Sequence, residues 1–246
     1  MLHLGILAHS VPGAALCFQA FGERGMALLG SHDHPDVTMD CIAMGRSMAA
    51  YESGDYGTIR GILSRSLDRL GRAGADFFVC PDNTAHLALE HSGPELPLPG
   101  LHIADTVAQR AAEAGHQTVG VLGTKWTMES KLYPRALEPY GLQTRIPDAE
   151  DRDAVQAITF NELVHGVFIE ASRELFINVI AKLGDAGCDA VALVCTEFPL
   201  LITPTDSPLP TLGSTVLLAQ AAADVATGAV PPPNWRGGPF PGEPTR

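Results

Sequence analysis

The sequence predicts an α/β fold of two similar lobes, each a parallel sheet flanked by helices. Three observations carry that expectation. Short apolar runs alternate with longer stretches of helical spacing, the pattern of parallel strands joined by crossover helices. Hydrophobic residues make up 46% of the 246 and charged residues only 18%, which suits compact cores and excludes a disordered chain. The chain also repeats itself. Residues 73–84 (AGADFFVCPDNT) lie over 186–197 (AGCDAVALVCTE) without a gap, with Asp76 on Asp189 and Asp82 on Cys195. At nearly the same offset, LGILAHS at 4–10 lies over VGVLGTK at 119–125. Two matches at nearly one offset read as a duplicated half, each copy presenting a loop after an equivalent strand. Related by a pseudo-twofold axis, the halves would bring Asp82 and Cys195 to one inter-lobe cleft from opposite sides.

The elements follow in order. Residues 2–8 read as a buried strand, followed by a helix over about 14–29, a loop at 31–36 and a second strand at 37–43. Over 55–73, Ile59, Ile62, Leu63, Leu67 and Leu70 share one helical face; Gly74 ends that helix and 77–80 is a strand. Residues 90–100 are broken by Pro94, Pro97 and Pro99. Helical spacing returns at 101–114, then a strand at 118–122, a helix at 127–137, helices at 153–164 and 170–186, a strand at 190–194 and a last helix at 214–226. The lobes are then residues 1–100 with 212–229, and residues 101–211. The tail 230–246, with its Pro-Pro-Pro and Gly-Gly-Pro runs, reads as disordered. In parallel sheets of this kind ligands bind beyond the carboxyl ends of the strands.

Charge and motifs exclude several classes. With 16 Lys+Arg against 28 Asp+Glu the formal charge is −12, which argues against nucleic-acid binding. The apolar N-terminus has no basic lead-in and is interrupted by His3 and His9; no run reaches the roughly 18 apolar residues of a membrane span. The five cysteines, at 17, 41, 80, 188 and 195, are odd in number and form no CxxC pair, which fits reduced thiols in the cytoplasm. Nine histidines show no metal-ligand spacing, so no metal is expected. Neither a phosphate-binding glycine loop nor a GxSxG elbow occurs, and no cofactor is implied.

Two loops carry candidate chemistry. Cys195, in Leu193-Val-Cys-Thr-Glu-Phe-Pro199, follows an apolar strand, and a helix start there would favour its thiolate. The plainer reading is an inert strand-end cysteine. Asp82-Asn83-Thr84-Ala85-His86 stands in the equivalent place. These residues suit helix capping, and equally an acid/base carboxylate beside an Asn/Thr cradle for an anion. His86, one helical turn after Asp82, is a structural histidine or a partner of that carboxylate. Cys17, Cys41, Cys80 and Cys188 read as packing residues.

At these residues the sequence resembles the aspartate/glutamate racemase superfamily. Pro81-Asp-Asn-Thr-Ala-His86 and Val194-Cys-Thr-Glu-Phe-Pro-Leu-Leu201 resemble its two signature loops, and Gly120–Glu129 its middle glycine-threonine loop. The resemblance covers about residues 2–226. It implies a two-lobed, PLP-independent amino-acid racemase whose substrate, an amino acid or related carboxylic acid, lies between the lobes. Well-known members carry a cysteine in both loops; here the first is Asp82. By the same resemblance Asn83, Thr84, Thr124 and Thr196 would bind the substrate α-carboxylate and Ser10 the amino end. Glu197 and His165 complete the substrate-binding set. His165 stands where an acidic-amino-acid enzyme would carry lysine, and Gly213 where it would carry aspartate, which puts an Asp or Glu substrate in question. The expected mechanism passes the Cα proton between Cys195, as thiolate, and Asp82, held protonated by burial. Two other readings are a single-cysteine lyase or isomerase of the malonate-decarboxylase type, and a non-catalytic binder of small carboxylates. A homodimer is the expected assembly.

Overall fold

The computed structural model describes residues 1–240, which divide into two compact units, residues 1–103 with 218–240 and residues 104–217. The chain runs β1 (Leu4–Ala8), α1 (Val11–Leu29), β2 (Val37–Cys41), α2 (Met48–Ser53), α3 (Tyr56–Arg72), β3 (Phe77–Val79), α4 (Asn83–Leu89), α5 (Ile103–Glu113), β4 (Thr118–Gly123), α6 (Lys125–Met128) and α7 (Leu132–Leu137). It continues through β5 (Gln143–Arg145), α8 (Ala149–Asn161), a 3-10 turn at Leu163–His165, α9 (Glu170–Asp185), β6 (Ala190–Val194), α10 (Phe198–Leu201), β7 (Thr211–Gly213) and α11 (Ser214–Ala226).

The first unit holds a parallel sheet of order β2-β1-β3 and the second a parallel sheet of order β5-β4-β6-β7. The central strands β1 and β6 are buried along their whole length, as strands covered on both faces must be. In the first unit α1 and α3 pack on β1, burying Phe21, Ile59, Leu63, Leu67 and Leu70. In the second, α9 packs on β4 and β6, and Phe176, Val179, Ile180 and Leu183 join Leu122, Val191, Leu193 and Phe198 in one core.

The repeat read from the sequence extends to atomic detail. Leu4 pairs with Phe77 and Ile6 with Val79; at the matched positions Val119 pairs with Ala190 and Val121 with Ala192. Asp76 accepts the His3 N–H at 2.7 Å, and Asp189 accepts the Gln117 N–H at 2.7 Å, so the same aspartate closes the start of the central strand in each unit. Gly74 and Gly187, which turn the chain from helix to strand, both have φ +94°. A Cβ on Gly5 would stand 3.1 Å from Ala75 Cβ and 3.2 Å from Leu70 Cδ1. One on Gly120 would stand 3.0 Å from Leu183 Cδ1 and 3.5 Å from Cys188 Sγ, the matched neighbours.

The structure departs from the sequence reading in several places, the first being that the helix expected over 127–137 is split into α6 and α7. The short strands β5 and β7 and the helix α2 were not expected. Gln143-Thr-Arg145 is a polar three-residue edge strand with no apolar alternation to mark it. The tail, expected to be disordered from residue 230, is held over Trp235–Phe240. Gly100 N–H donates to Trp235 O, Leu96 N–H to Arg236 O and Gly238 N–H to Leu89 O, each at 2.8 Å. The Trp235 ring lies 5.0 Å from that of His102 and stacks at 5.8 Å on Phe240. The prolines read as loop signals, but the two aromatic anchors between them supply the burial that orders the segment. Residues 241–246 lie outside the described residues. Cys41, read as packing, is exposed at the end of β2. No helix among the described residues is long and apolar enough to cross a membrane.

Candidate active site

The carboxyl edge of the first sheet carries a line of polar side chains. His9 directly follows β1, Ser47 lies between β2 and α2, and Asp82 follows β3. They are joined in the order of the strands. Ser47 Oγ lies 3.1 Å from His9 Nε2, and His9 Nδ1 lies 2.8 Å from Asp82 Oδ2. Asp82 is also the N-cap of α4, with extended backbone (φ −130°, ψ 110°) and Oδ1 accepting the Ala85 N–H at 3.2 Å. Capping and hydrogen bonding to His9 therefore fix both carboxylate oxygens. Asn83 and Thr84 lie buried in the first turn of α4. Ser10 caps α1, its Oγ 3.5 Å from Gly13 N.

The expectation that burial keeps Asp82 protonated is not met. Burial does push the carboxyl up, but the hydrogen bond and charge of His9, together with the Ala85 N–H, outweigh it and hold the group below the ordinary carboxylate value of 3.8. Asp82 is a carboxylate at neutral pH. His86 touches Asp82 through the backbone: its Nδ1 is 2.9 Å from Asp82 O, and its Nε2 accepts the Ile103 N–H at 3.3 Å. Burial and the neighbouring His102, edge-on at 4.5 Å, push its pKa down to about 3, so it is a neutral structural histidine.

In the second unit Thr124 caps α6, accepting the Thr127 N–H at 3.3 Å. Cys195 follows β6 in the place matched to Asp82, but it does not begin a helix. A turn at 195–197, closed by Phe198 N–H to Cys195 O at 3.3 Å, separates it from the four-residue α10. Pro199 accepts the first helical turn, where no N–H is needed, and sets where α10 starts. The thiol instead donates to Glu197 Oε2 at 3.1 Å, and Thr196 Oγ1 donates to the same oxygen at 2.6 Å. Glu197, expected to bind substrate, is thus an acceptor for its own loop. Of the remaining cysteines, Cys17, Cys80 and Cys188 are buried, and burial pushes the Cys17 thiol up to about 12, as suits packing residues.

His165 is exposed at the end of the 3-10 turn, and a Cβ on Gly213 would meet no heavy atom within 4 Å. Lys125, the nearest basic residue to Thr124 in sequence, is held by Asp153 at 2.6 Å. His9, Ser47 and Tyr51 were not singled out by the sequence. The signal for His9 was the repeat itself, since it matches Thr124. Among the described residues no group of three or more His, Cys, Asp or Glu is placed to hold a metal ion.

Two repeated parallel α/β units, each ending its third repeated strand in a side chain able to carry a proton, define a class. A model of the Asp/Glu/Hydantoin racemase family matches residues 17–222, and the chain belongs to that family. It is 25% identical over 154 residues to the broad-specificity amino-acid racemase RacX of Bacillus subtilis (strain 168), covering 62% of this chain and 66% of that protein. It is 29% identical over 187 residues to a glutamate racemase of Pseudomonas entomophila (strain L48), covering 73% and 68%. The chain thus spans about two thirds of the length of these relatives. Among solved structures, an aspartate racemase homologue from Pyrococcus horikoshii OT3 superposes with a TM-score of 0.77 at 25% identity, covering 92% of this chain and 100% of that one. Picrophilus torridus aspartate racemase has the same fold, with a TM-score of 0.70 at 22% identity over 93% and 95% of the two chains.

Proposed function

We propose that the chain is a cofactor-independent amino-acid racemase or epimerase in which Asp82 and Cys195 move the Cα proton of one substrate. One observation supports this most. Equivalent strands of the two repeats each lead into a proton-transfer group joined to a second ionisable side chain, Asp82 to His9 and Cys195 to Glu197. Racemisation needs a base on one face of Cα, an acid on the other, and donors for the carboxylate as it becomes enediolate-like. The resting pair meets the first two needs. Asp82, as carboxylate, takes the α-proton of one enantiomer, and the Cys195 thiol returns a proton to the carbanion. Asp82 is left protonated and Cys195 as thiolate, the starting state for the opposite enantiomer. Glu197, which accepts the hydrogen bond of the resting thiol, supplies the relay that resets Cys195 from solvent.

Asn83, Thr84, Thr124 and Thr196 are the donors for the α-carboxylate in this reading, and Ser10 receives the amino group. The lysine and aspartate that would mark a substrate with a second carboxylate are both replaced, which favours an uncharged side chain unless Arg46 receives that carboxylate. His165 replaces the expected lysine and is exposed, the site of the expected aspartate is glycine, and Lys125 is already paired with Asp153. Incubation with a panel of L-amino acids in D2O, read by NMR at Cα, tests the reading. Deuteration accompanied by the D-enantiomer is expected, strongest for uncharged side chains. No deuteration across the panel, with CO2 released from malonates instead, would place the chain among lyases.

A further inference from the structure

We infer that His9 is a positioning residue for Asp82, holding that carboxylate in one orientation and in its ionised form from behind the reacting face. The inference rests on the reading of Asp82 as a proton-transfer group. Exposure assigns the roles: the His9 side chain is 0% exposed and that of Asp82 10%. The imidazole cannot reach a substrate, whereas the carboxylate can. The pair therefore runs in the reverse sense to a catalytic triad, with the carboxylate in front and the histidine as its support.

The geometry is specific to this task. A capping aspartate needs only one oxygen for its helix, and here that is Oδ1, bound by Ala85 N–H. Oδ2 is turned instead towards His9 Nδ1. An ionised carboxylate only accepts, so Nδ1 carries a proton towards it, while Nε2 lies 3.1 Å from the Ser47 hydroxyl, which can donate or accept. The hydrogen-bonded line thus runs from Ser47 through the imidazole to Asp82. The other titratable groups facing Asp82 cannot replace His9. Burial pushes both the Tyr51 phenol and the Cys80 thiol well up, so they stay protonated and neutral, and His86 is neutral as well. Tyr51 packs beside the imidazole, ring centres 6.0 Å apart, and closes it off from that side.

The test follows the Asp82 carboxyl by carbon-13 NMR titration and measures racemisation against pH, in the wild type, His9→Leu, His9→Asn and Ser47→Ala. In His9→Leu the carboxyl should titrate at higher pH, and the limb of kcat/KM that requires the ionised base should move up with it. kcat should fall by about 10- to 100-fold, the range seen when a partner that orients a reacting group is lost, with KM changing less. His9→Asn, whose amide nitrogen reaches the Nδ1 position, should restore most of kcat and bring the limb part of the way back. Ser47→Ala should show the same shifts in smaller measure. A purely structural role would lower thermal stability in the variants and leave the limb where it was. An Asp82 titration that stays at its wild-type position in both His9→Leu and Ser47→Ala overturns the inference, and should His9→Leu fail to fold, an unmoved titration in Ser47→Ala does so alone. If the carboxyl titration moves as stated but the wild type exchanges no Cα proton, the racemase reading fails and the assignment of His9 to Asp82 stands.

Discussion

The loop after β3 and the loop after β6 occupy matched positions in repeated sheets, yet they hold their proton-bearing residues by opposite means. Asp82 is a helix cap with both oxygens engaged, and its support reaches across the sheet to His9 and Ser47, from three different strand ends. Cys195 lies in a turn and donates to Glu197, two residues away in the same loop. The frame around both loops is the same, down to the aspartates that close the central strands and the glycines that let a helix approach them. Duplication kept the scaffold, and the difference was built at the strand ends. In the proposed reading the locked carboxylate is the base at rest and the thiol the acid at rest, so the asymmetry between the loops would supply the two protonation states of a two-base exchange.

The largest expected effect comes from breaking the thiol side. Cys195→Ser should lower kcat by about 10²–10⁴-fold, the contribution of a general acid or base, in assays of optical rotation. Asp82→Asn should also stop racemisation but leave deuterium wash-in from one face of Cα, catalysed by Cys195 alone. Equal wash-in from both faces in that variant would show that the two loops do not divide the faces between them. Glu197→Gln should cost about 10-fold, chiefly in the direction that uses Cys195 as base, since the thiol then loses its proton acceptor.

The scaffold half of the comparison is tested by stability. Gly5→Ala and Gly120→Ala should each destabilise by about 1–3 kcal/mol in urea titrations, because the added methyl meets packed side chains at about the same distance in both units. A large effect at one site and none at the other would break the equivalence. A last effect, seen only as a slope against pH, separates the loops. His86, buried and neutral with its pKa at about 3 against 6.5 when free, binds a proton on unfolding. Its contribution is therefore complete above about pH 6.5 and is lost as pH falls towards 3, at up to about 1.4 kcal/mol per pH unit. Asp82, held low, adds its own loss only below the ordinary carboxylate value of 3.8. Thermal melts of His86→Gln between pH 7 and 4 should show a flatter slope than wild type.

Much of this was legible in the sequence. The gapless match of 73–84 to 186–197 gave the repeated strands, and with them the equivalence of Asp82 and Cys195. Edge strand β5 was not legible, because a polar tripeptide pairs through its backbone and leaves no pattern in its side chains. The charge state of Asp82 was misjudged for a related reason. Burial can be read from an apolar neighbourhood, but the hydrogen bond that reverses its effect comes from His9, distant in sequence and brought close by the register of β1 on β3. The Cys195 turn was misread because Thr-Glu-Phe-Pro suits a helix start, and only the placement of Pro199 shows that the helix begins three residues late.

The segment Trp235–Phe240 has a consequence for the order of assembly. Residues 104–217 form a unit from one uninterrupted stretch of chain, whereas the unit carrying Asp82 needs residues 218–240 to complete it. Leu2 N–H donates to Ala226 O, and the strap over residues 89–100 hydrogen-bonds to Trp235, Arg236 and Gly238. On the ribosome the thiol-bearing unit can close as soon as it emerges, while the carboxylate-bearing unit, although translated first, stays open until residues beyond the other unit have been made. The unit whose strand-end carboxylate draws its support from three strand ends is the unit that is finished last.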